Sequence, residues 1–307
     1  MLRKVVAGGA GFIGSHLIKE LLNEGSFVYC IDNLSTGSLN NIKDFVYNKN
    51  FEFINHDIIT KLPQIEADMI FNLACSASPL HYQMDPINTM KASVLGTYNI
   101  VELALMNNAK LICTSTSEIY GDPFEHPQNE NYWGNVNTLG PRSCYDEGKR
   151  CSETILSDYM KHQNLNVSIV RIFNTYGPNM SVGDGRVVSN FINSALNNEK
   201  LIINGDGSQT RSFCYIDDTL RAILKVSNSN DFGPFNIGNT NEISIMDLAK
   251  IIIKLVNSNS KVVFDELPEN DPLRRRPDIS KIKKSFDWEP LIKLEEGLKL
   301  TTDYFLK

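Results

Sequence analysis

The chain has 307 residues, 42% hydrophobic and 21% charged, with a net charge of −6 and a pI near 5.5. That composition suits one large or two smaller soluble domains with a buried core, and the acidic balance argues against nucleic acid or an anionic membrane as partner. No apolar run approaches the ~18–20 residues of a membrane span, and Met1 leads through Leu2, Arg3 and Lys4 into a strand rather than a secretory signal.

From the N-terminus, Lys4–Ala7 reads as a strand and Phe12–Asn23 as a helix with Ile13, Leu17, Leu21 and Leu22 on its apolar side, ended by Gly25. Gly8, Gly11 and Gly14 fall between the two. The first permits a tight turn, the second lets a diphosphate approach the backbone, and the third lets helix and strand pack closely. The helix N-terminus is then an anion site. Phe27–Ile31 is the second strand and ends at Asp32, 18 positions beyond Gly14. A carboxylate there takes the adenosine ribose hydroxyls and repels a 2′-phosphate. With no Arg or Lys in Asn33-Leu34-Ser35-Thr36, the expected cofactor is NAD rather than NADP.

Further strands are expected at Phe51–Ile54, Met69–Leu73, Leu111–Ser115 and Val167–Ile172, with long helices at about Ile87–Met106 and Tyr145–Gln163. This alternation is the pattern of a Rossmann-type, doubly wound parallel sheet in an α/β fold. Asp57 follows the third strand and is a candidate for the adenine edge or a loop cap. The expected cofactor surface is Gly8, Gly11, Phe12, Ile13 and Gly14, then Asp32 and Asn33, Asp57 and Ile58, Leu73 and Ala74, completed by Tyr145 and Lys149.

After Phe173 glycine, proline and asparagine cluster at Asn174–Gly185 and Asn204–Gly207, a texture of loops around a ligand. Ser244–Val256 opens with a Ser-x-x-Asp cap and continues as an amphipathic helix. The expected division is a Rossmann domain at 1–173, with 233–239 returning to its sheet, and a smaller substrate-binding domain at 174–307. Cys30, Cys75, Cys113, Cys144, Cys151 and Cys214 lack CxxC or paired spacing. They read as thiols of a reducing cytoplasm, with no disulfide and no metal to hold.

Chemistry is suggested by Tyr145 and Lys149, four apart and so on one helix face. A free tyrosine, with a pKa of about 10, is a poor base at neutral pH. A nearby ammonium and the cation of an oxidised nicotinamide stabilise its phenolate, which can then accept the proton of an alcohol under oxidation. The strand end Thr114-Ser115-Thr116-Ser117-Glu118 lies where doubly wound sheets place ligands. Thr116 can hydrogen-bond the reacting hydroxyl, and Glu118 brings a carboxylate beside it.

The stretches Thr114–Arg150, Arg171–Pro178, Asp184–Asn190, Gly207–Arg211 and Arg274–Ile279 together resemble the extended short-chain dehydrogenases/reductases. Within them the chain is similar to the NAD-dependent epimerase/dehydratase group, most of all the UDP-glucuronate decarboxylases. The resemblance implies a UDP-sugar substrate, with Tyr145, Lys149, Thr116, Glu118 and Arg275 catalytic. Asn174, Arg186 and Arg211 are implied to hold the nucleotide diphosphate, and the two long helices to form the four-helix bundle of a homodimer. The implied reaction turns UDP-glucuronate into UDP-xylose through a UDP-4-keto sugar with NAD recycled, because a C4 ketone makes the C5 carboxylate a β-keto acid. Departures from the family pattern are Asn72-Leu-Ala-Cys75-Ser76-Ala-Ser-Pro79 for His-Leu-Ala-Ser-Pro-Ala-Ser-Pro, Ser93 for asparagine and Asn179 for arginine.

Three other readings use the same lobe. A nucleotide-hexose 4,6-dehydratase shares the oxidation but carries Asp-Glu where this chain has Ser117-Glu118. A 4-epimerase needs neither Glu118 nor Arg275. A non-catalytic NAD-binding regulatory protein would have no use for Tyr145 and Lys149.

Overall fold

Strand alternation sends Val5 and Val6 to opposite faces of β1 (Arg3–Ala7), and both are fully buried. A strand covered on both sides belongs inside a sheet. In the computed structural model, which describes residues 1–269, 272 and 274–306, it does. The other long strands are β2 (Phe27–Asp32), β3 (Phe51–Asn55), β4 (Met69–Asn72), β5 (Lys110–Thr116) and β6 (Val167–Ile172). Together with Phe235–Ile237 they form a seven-stranded sheet in the order 235–237, β6, β5, β4, β1, β2, β3. Every pairing is parallel. The chain order reverses between β1 and β4, the place where such sheets open a crevice at their carboxyl ends.

Register levels those ends. Ala7 lies opposite Ile31 on one side and Asn72 on the other, so Gly8, Asp32 and Leu73 emerge side by side. The helix α1 (Phe12–Asn23) packs on one face through Leu17, Ile18 and Leu21, all fully buried. Each such side chain contributes roughly 1.5–3 kcal/mol by leaving water. The opposite face is covered by α3 (Pro86–Asn107) and α4 (Ser143–Gln163), preceded by the short α2 (Pro79–Met84). Asp85 caps α3 by accepting from Asn88 N at 3.0 Å, and Pro86 follows at its first turn, where a missing N–H costs nothing. The two long helices touch through small residues. A Cβ on Gly148 would lie 2.9 Å from that of Ser93, and Ser152 donates to the Ser93 carbonyl at 2.7 Å.

The long elements match their expected ranges to within two residues; the strand read as Met69–Leu73 stops at Asn72. The loops expected at 174–185 and 204–207 are mostly turns, and regular elements lie between and after them. Val187–Leu196, Ile216–Ser227 and Leu294–Phe305 are helices. Thr210–Ser212 sits between Glu242–Ser244 and Arg274–Arg275 in a three-stranded sheet. Ser244 caps the helix Ile245–Leu255 by accepting from Asp247 N at 3.0 Å. Lys307, the last residue of the expected second domain, lies outside the described residues.

Candidate active site

A cavity of about 600 Å³ opens at the carboxyl ends of β1, β4 and β5. Gly8, Gly11, Phe12, Ile13, Gly14 and Leu73 form one end of its wall. Gly8 has φ +78°, and a Cβ on it would meet the Leu73 carbonyl carbon at 2.8 Å. A Cβ on Gly14 would overlap the Gly8 carbonyl oxygen, whereas one on Gly11 would stand 3.2 Å from it. The chain's own packing thus requires glycine at 8 and 14, and position 11 is the more open to the cavity. Gly11 is the N-cap of α1 with no side-chain cap, so the helix presents backbone N–H groups to this end.

Asp32 is buried, and its carboxylate accepts from Ala10 N at 2.9 Å and Leu34 N at 2.8 Å. Burial pushes its carboxyl up and those two amides pull it down. Asp57 accepts from Ile59 N at 2.9 Å and from Asn33 Nδ2 at 3.0 Å, the bonding of a loop cap. The Ile58 side chain is buried against Gly96 of α3. Asp32, Asn33, Asp57, Ile58 and Ala74 stand beside the cavity rather than in its wall.

Midway along, Tyr145 in the first turn of α4 is buried, with its ring stacked on Tyr82 at 5.1 Å and an interplanar angle of 1°. Lys149, one turn on, donates Nζ to the Thr114 carbonyl at 2.9 Å. Burial pushes the Tyr145 phenol well above its ordinary value; Cys75 adds to this and a hydrogen bond with Thr116 opposes it. Thr116 Oγ1 also accepts from Glu118 N at 3.2 Å, which turns the chain at the end of β5.

At the far end Glu118 lies between two guanidinium groups, Arg142 and Arg275, both hydrogen-bonded to its carboxylate. Burial alone would raise this carboxyl; the two arginines hold it at about 2. Glu118 and Arg275, both expected to be catalytic, pair with each other here, and their attraction offsets part of the cost of burying two charges. Within the run Arg274–Arg276, Arg275 is 3% exposed and lines the cavity, Arg274 is exposed, and Arg276 lies 3.9 Å from Glu242. Strand pairing aligns Arg275 with Arg211, itself buried and in the wall. Asn174 and Arg186 are also in the wall, and Arg186 is held by Asp184 at 2.7 Å over the Phe12 ring.

Arg142, Asp146 and Tyr82 were missed in the sequence. Arg142 and Asp146 are four apart at the start of α4, with Nε to Oδ2 at 4.0 Å, a spacing that could have drawn notice. Tyr82 is in α2, and nothing in the sequence ties it to Tyr145. The departures find local partners: Cys75 Sγ lies 3.3 Å from Ser93 Oγ, where a larger side chain would crowd the helix crossing, and Asn179, at φ +65°, donates to Ser15 at 3.0 Å. The six cysteines are free, and among the described residues there is no metal-binding cluster and no helix long and apolar enough to cross a membrane.

Residues 5–301 match the family described as GDP-mannose 4,6 dehydratase. The chain is 48% identical over 305 residues to UDP-glucuronic acid decarboxylase 4 of Arabidopsis thaliana, covering 99% of this chain and 69% of that one. It is 48% identical over 305 residues to UDP-glucuronic acid decarboxylase 1 of Xenopus tropicalis, covering 99% and 72%. Among solved structures, a UDP-glucuronic acid 4-epimerase from Bacillus cereus, in complex with UDP-glucuronic acid and NAD, superposes with a TM-score of 0.89 at 28% identity, covering 99% of each chain. With its crevice, glycine turn and tyrosine–lysine pair, the chain belongs to the GDP-mannose 4,6 dehydratase family and, inside it, to the UDP-glucuronic acid decarboxylases.

Proposed function

We propose that this protein decarboxylates UDP-glucuronate to UDP-xylose, using NAD that is regenerated in each turnover. One observation carries the reading: the Tyr145–Lys149–Thr116 group and the Glu118–Arg142–Arg275 cluster line one cavity, so an alcohol under oxidation and a carboxylate can be met in the same site. NAD fits the glycine end, where added Cβ atoms would strike backbone and an uncapped helix start meets the cavity. There Gly8, Gly11, Phe12, Ile13 and Gly14 hold the diphosphate, Asp32 and Asn33 the adenosine ribose, Asp57 and Ile58 the adenine side, and Leu73, Ala74, Tyr145 and Lys149 the nicotinamide side. When bound there, NAD would supply a reversible hydride acceptor for the sugar's C4.

Tyr145 takes the C4 hydroxyl proton, with Thr116 bonded to the same oxygen and Lys149 favouring the phenolate. The resulting ketone lets the bond between C5 and the carboxyl break, its electron pair passing into an enolate. Arg275 orients the carboxylate with Glu118 and steadies the charge that develops; its Nε is buried without a hydrogen-bond partner among the described residues. Asn174, Arg186 and Arg211 hold the diphosphate of the nucleotide. The chain divides into lobes at 1–173, with 233–239 returning, and 174–307, and it works in the cytoplasm as a homodimer. The homodimer is supported by exposed Leu95, Tyr98 and Met106 along α3.

The test is incubation with UDP-glucuronate and a panel of other sugar nucleotides, with products identified by mass. Loss of carbon dioxide without stoichiometric NADH is the expected result. The similarity to an epimerase holding UDP-glucuronic acid favours 4-epimerisation as the second reading, and an unchanged product mass would select it.

A further inference from the structure

Arg142 belongs to the walls of two cavities. The second, of about 360 Å³, is bounded by Gly121, Asp122, Asn135, Asn137, Arg142 and Asp146 among others. Asp146 is 6% exposed, its Oδ1 has no hydrogen-bond partner among the described residues, and its Oδ2 stands 4.0 Å from Arg142 Nε. A buried carboxylate oxygen left without a donor is costly when ionised.

The titratable and charged groups facing Asp146 come from every element around it. Arg142, Cys144, Tyr145 and Glu147 lie on its own helix or at its start, Glu118 in the turn after β5, Arg275 on the 274–275 strand and Tyr82 on α2. Asp122 shares the second cavity. Burial, then repulsion from Glu118, pushes the Asp146 carboxyl up to about 7, against the pull of Arg142 and Arg275. The charges decide what this means. With Asp146 ionised, two carboxylates balance Arg142 and Arg275, and no net positive charge remains for a third carboxylate. With Asp146 neutral, the same four side chains carry one positive charge, which is what one incoming carboxylate requires.

We propose that Asp146 is a positioning residue that takes up a proton when a carboxylated sugar enters, giving the Glu118–Arg142–Arg275 cluster the net charge that holds it. The second cavity is the proton's route from solvent. This rests on the decarboxylase reading above. When the bond from C5 to the carboxyl breaks, its electron pair enters the enolate and carbon dioxide leaves uncharged. C5 then gains a proton from solvent, and the cluster, its third carboxylate gone, no longer holds Asp146 neutral, so the Asp146 proton returns to solvent through the second cavity.

The test is calorimetric titration at pH 7 to 8 in two buffers of different ionisation enthalpy, with protein saturated with NADH so that turnover cannot start. Wild-type protein should take up a substantial fraction of one proton per UDP-glucuronate bound, and none with UDP-glucose. Its Kd for UDP-glucuronate should rise by up to about tenfold per pH unit above about pH 7, the limit for one linked proton. Asp146→Asn should abolish both the uptake and the slope while still binding UDP-glucuronate in preference to UDP-glucose. No uptake by the wild-type protein would overturn the proposal without recourse to any variant, and so would an unchanged uptake in Asp146→Asn. If wild-type protein binds UDP-glucuronate no better than UDP-glucose, the decarboxylase reading fails and the proposal with it.

Discussion

The two ends of the cavity are built from different materials. The glycine end is backbone: consecutive residues 8–14, shaped by what would collide if a Cβ were added. The far end is side-chain charge: Glu118, Arg142, Asp146 and Arg275, brought from three separate stretches of chain and buried together. The first fails by steric overlap and tolerates changes of charge nearby. The second fails by imbalance, because removing one charge strands its partner in low dielectric. Tyr145, between them, depends on both.

The sharpest break should come at that midpoint. Tyr145→Phe keeps nucleotide binding but loses carbon dioxide release by ~10²–10⁴-fold, the usual contribution of general-base help; near-wild-type turnover in a direct assay would remove Tyr145 from the chemistry. Next, Arg275→Ala should lower carbon dioxide release by at least ~100-fold, about 3 kcal/mol of transition-state stabilisation, with NAD titrating normally. Arg275→Lys should recover little, since lysine lacks the planar fork, and Arg274→Ala should be mild because Arg274 is exposed. Equal losses in both alanine variants would mean that charge in general, not the buried cluster, matters.

At the backbone end Gly14→Ala should cost ~1–3 kcal/mol in thermal stability through overpacking, and weaken NAD binding. Gly11→Ala should cost less stability than Gly14→Ala, its nearest contact being a tight 3.2 Å rather than an overlap. Discrimination at Asp32 comes next: NAD should bind at least ~10-fold more tightly than NADP, about 1.4 kcal/mol. Equal affinities in a titration would show that its two backbone bonds leave it no role at the ribose.

The smallest effect is on stability against pH, and the two carboxylates should differ in sign. Glu118 is held below its unfolded value, so its contribution is present above about pH 4.3 and is lost as pH falls toward 2. Asp146 is held above its unfolded value, so its contribution is present below about pH 3.9 and is lost as pH rises to about 7. Melting temperatures of Asp146→Asn should therefore exceed those of the wild type increasingly across that window. A constant gap would place the strain in shape rather than in charge.

The same contrast explains what could be read from the chain itself. The glycine turn, Asp32 and the Tyr145–Lys149 pair are local patterns whose spacing carries their meaning, and the parallel sheet follows from alternating apolar periods. The ion cluster has no such period. Glu118 and Arg275 meet across 157 positions, and their pairing depends on Thr210–Ser212 aligning with Arg274–Arg275. Val187–Leu196 and Ile216–Ser227 were obscured for another reason. Each follows a stretch rich in glycine and asparagine, and their apolar repeats are short, as at Ile216, Leu220 and Ile223, all buried.

The returning strand Phe235–Ile237 bears on how the protein is made. Its residues pair with Val170, Arg171 and Ile172, and Asn236 at its centre is fully buried, bonded to the carbonyls of Gln128 and Asp278 at 3.0 and 3.1 Å. On the ribosome, β6 emerges first and waits with an open, apolar edge while the intervening segment is translated. An edge of that kind invites pairing with another nascent chain. Only when 235–237 arrives is that edge of β6 paired, so translation must run past residue 237 before the seven strands can assemble, and past Asp278 before both amide hydrogens of Asn236 are bonded.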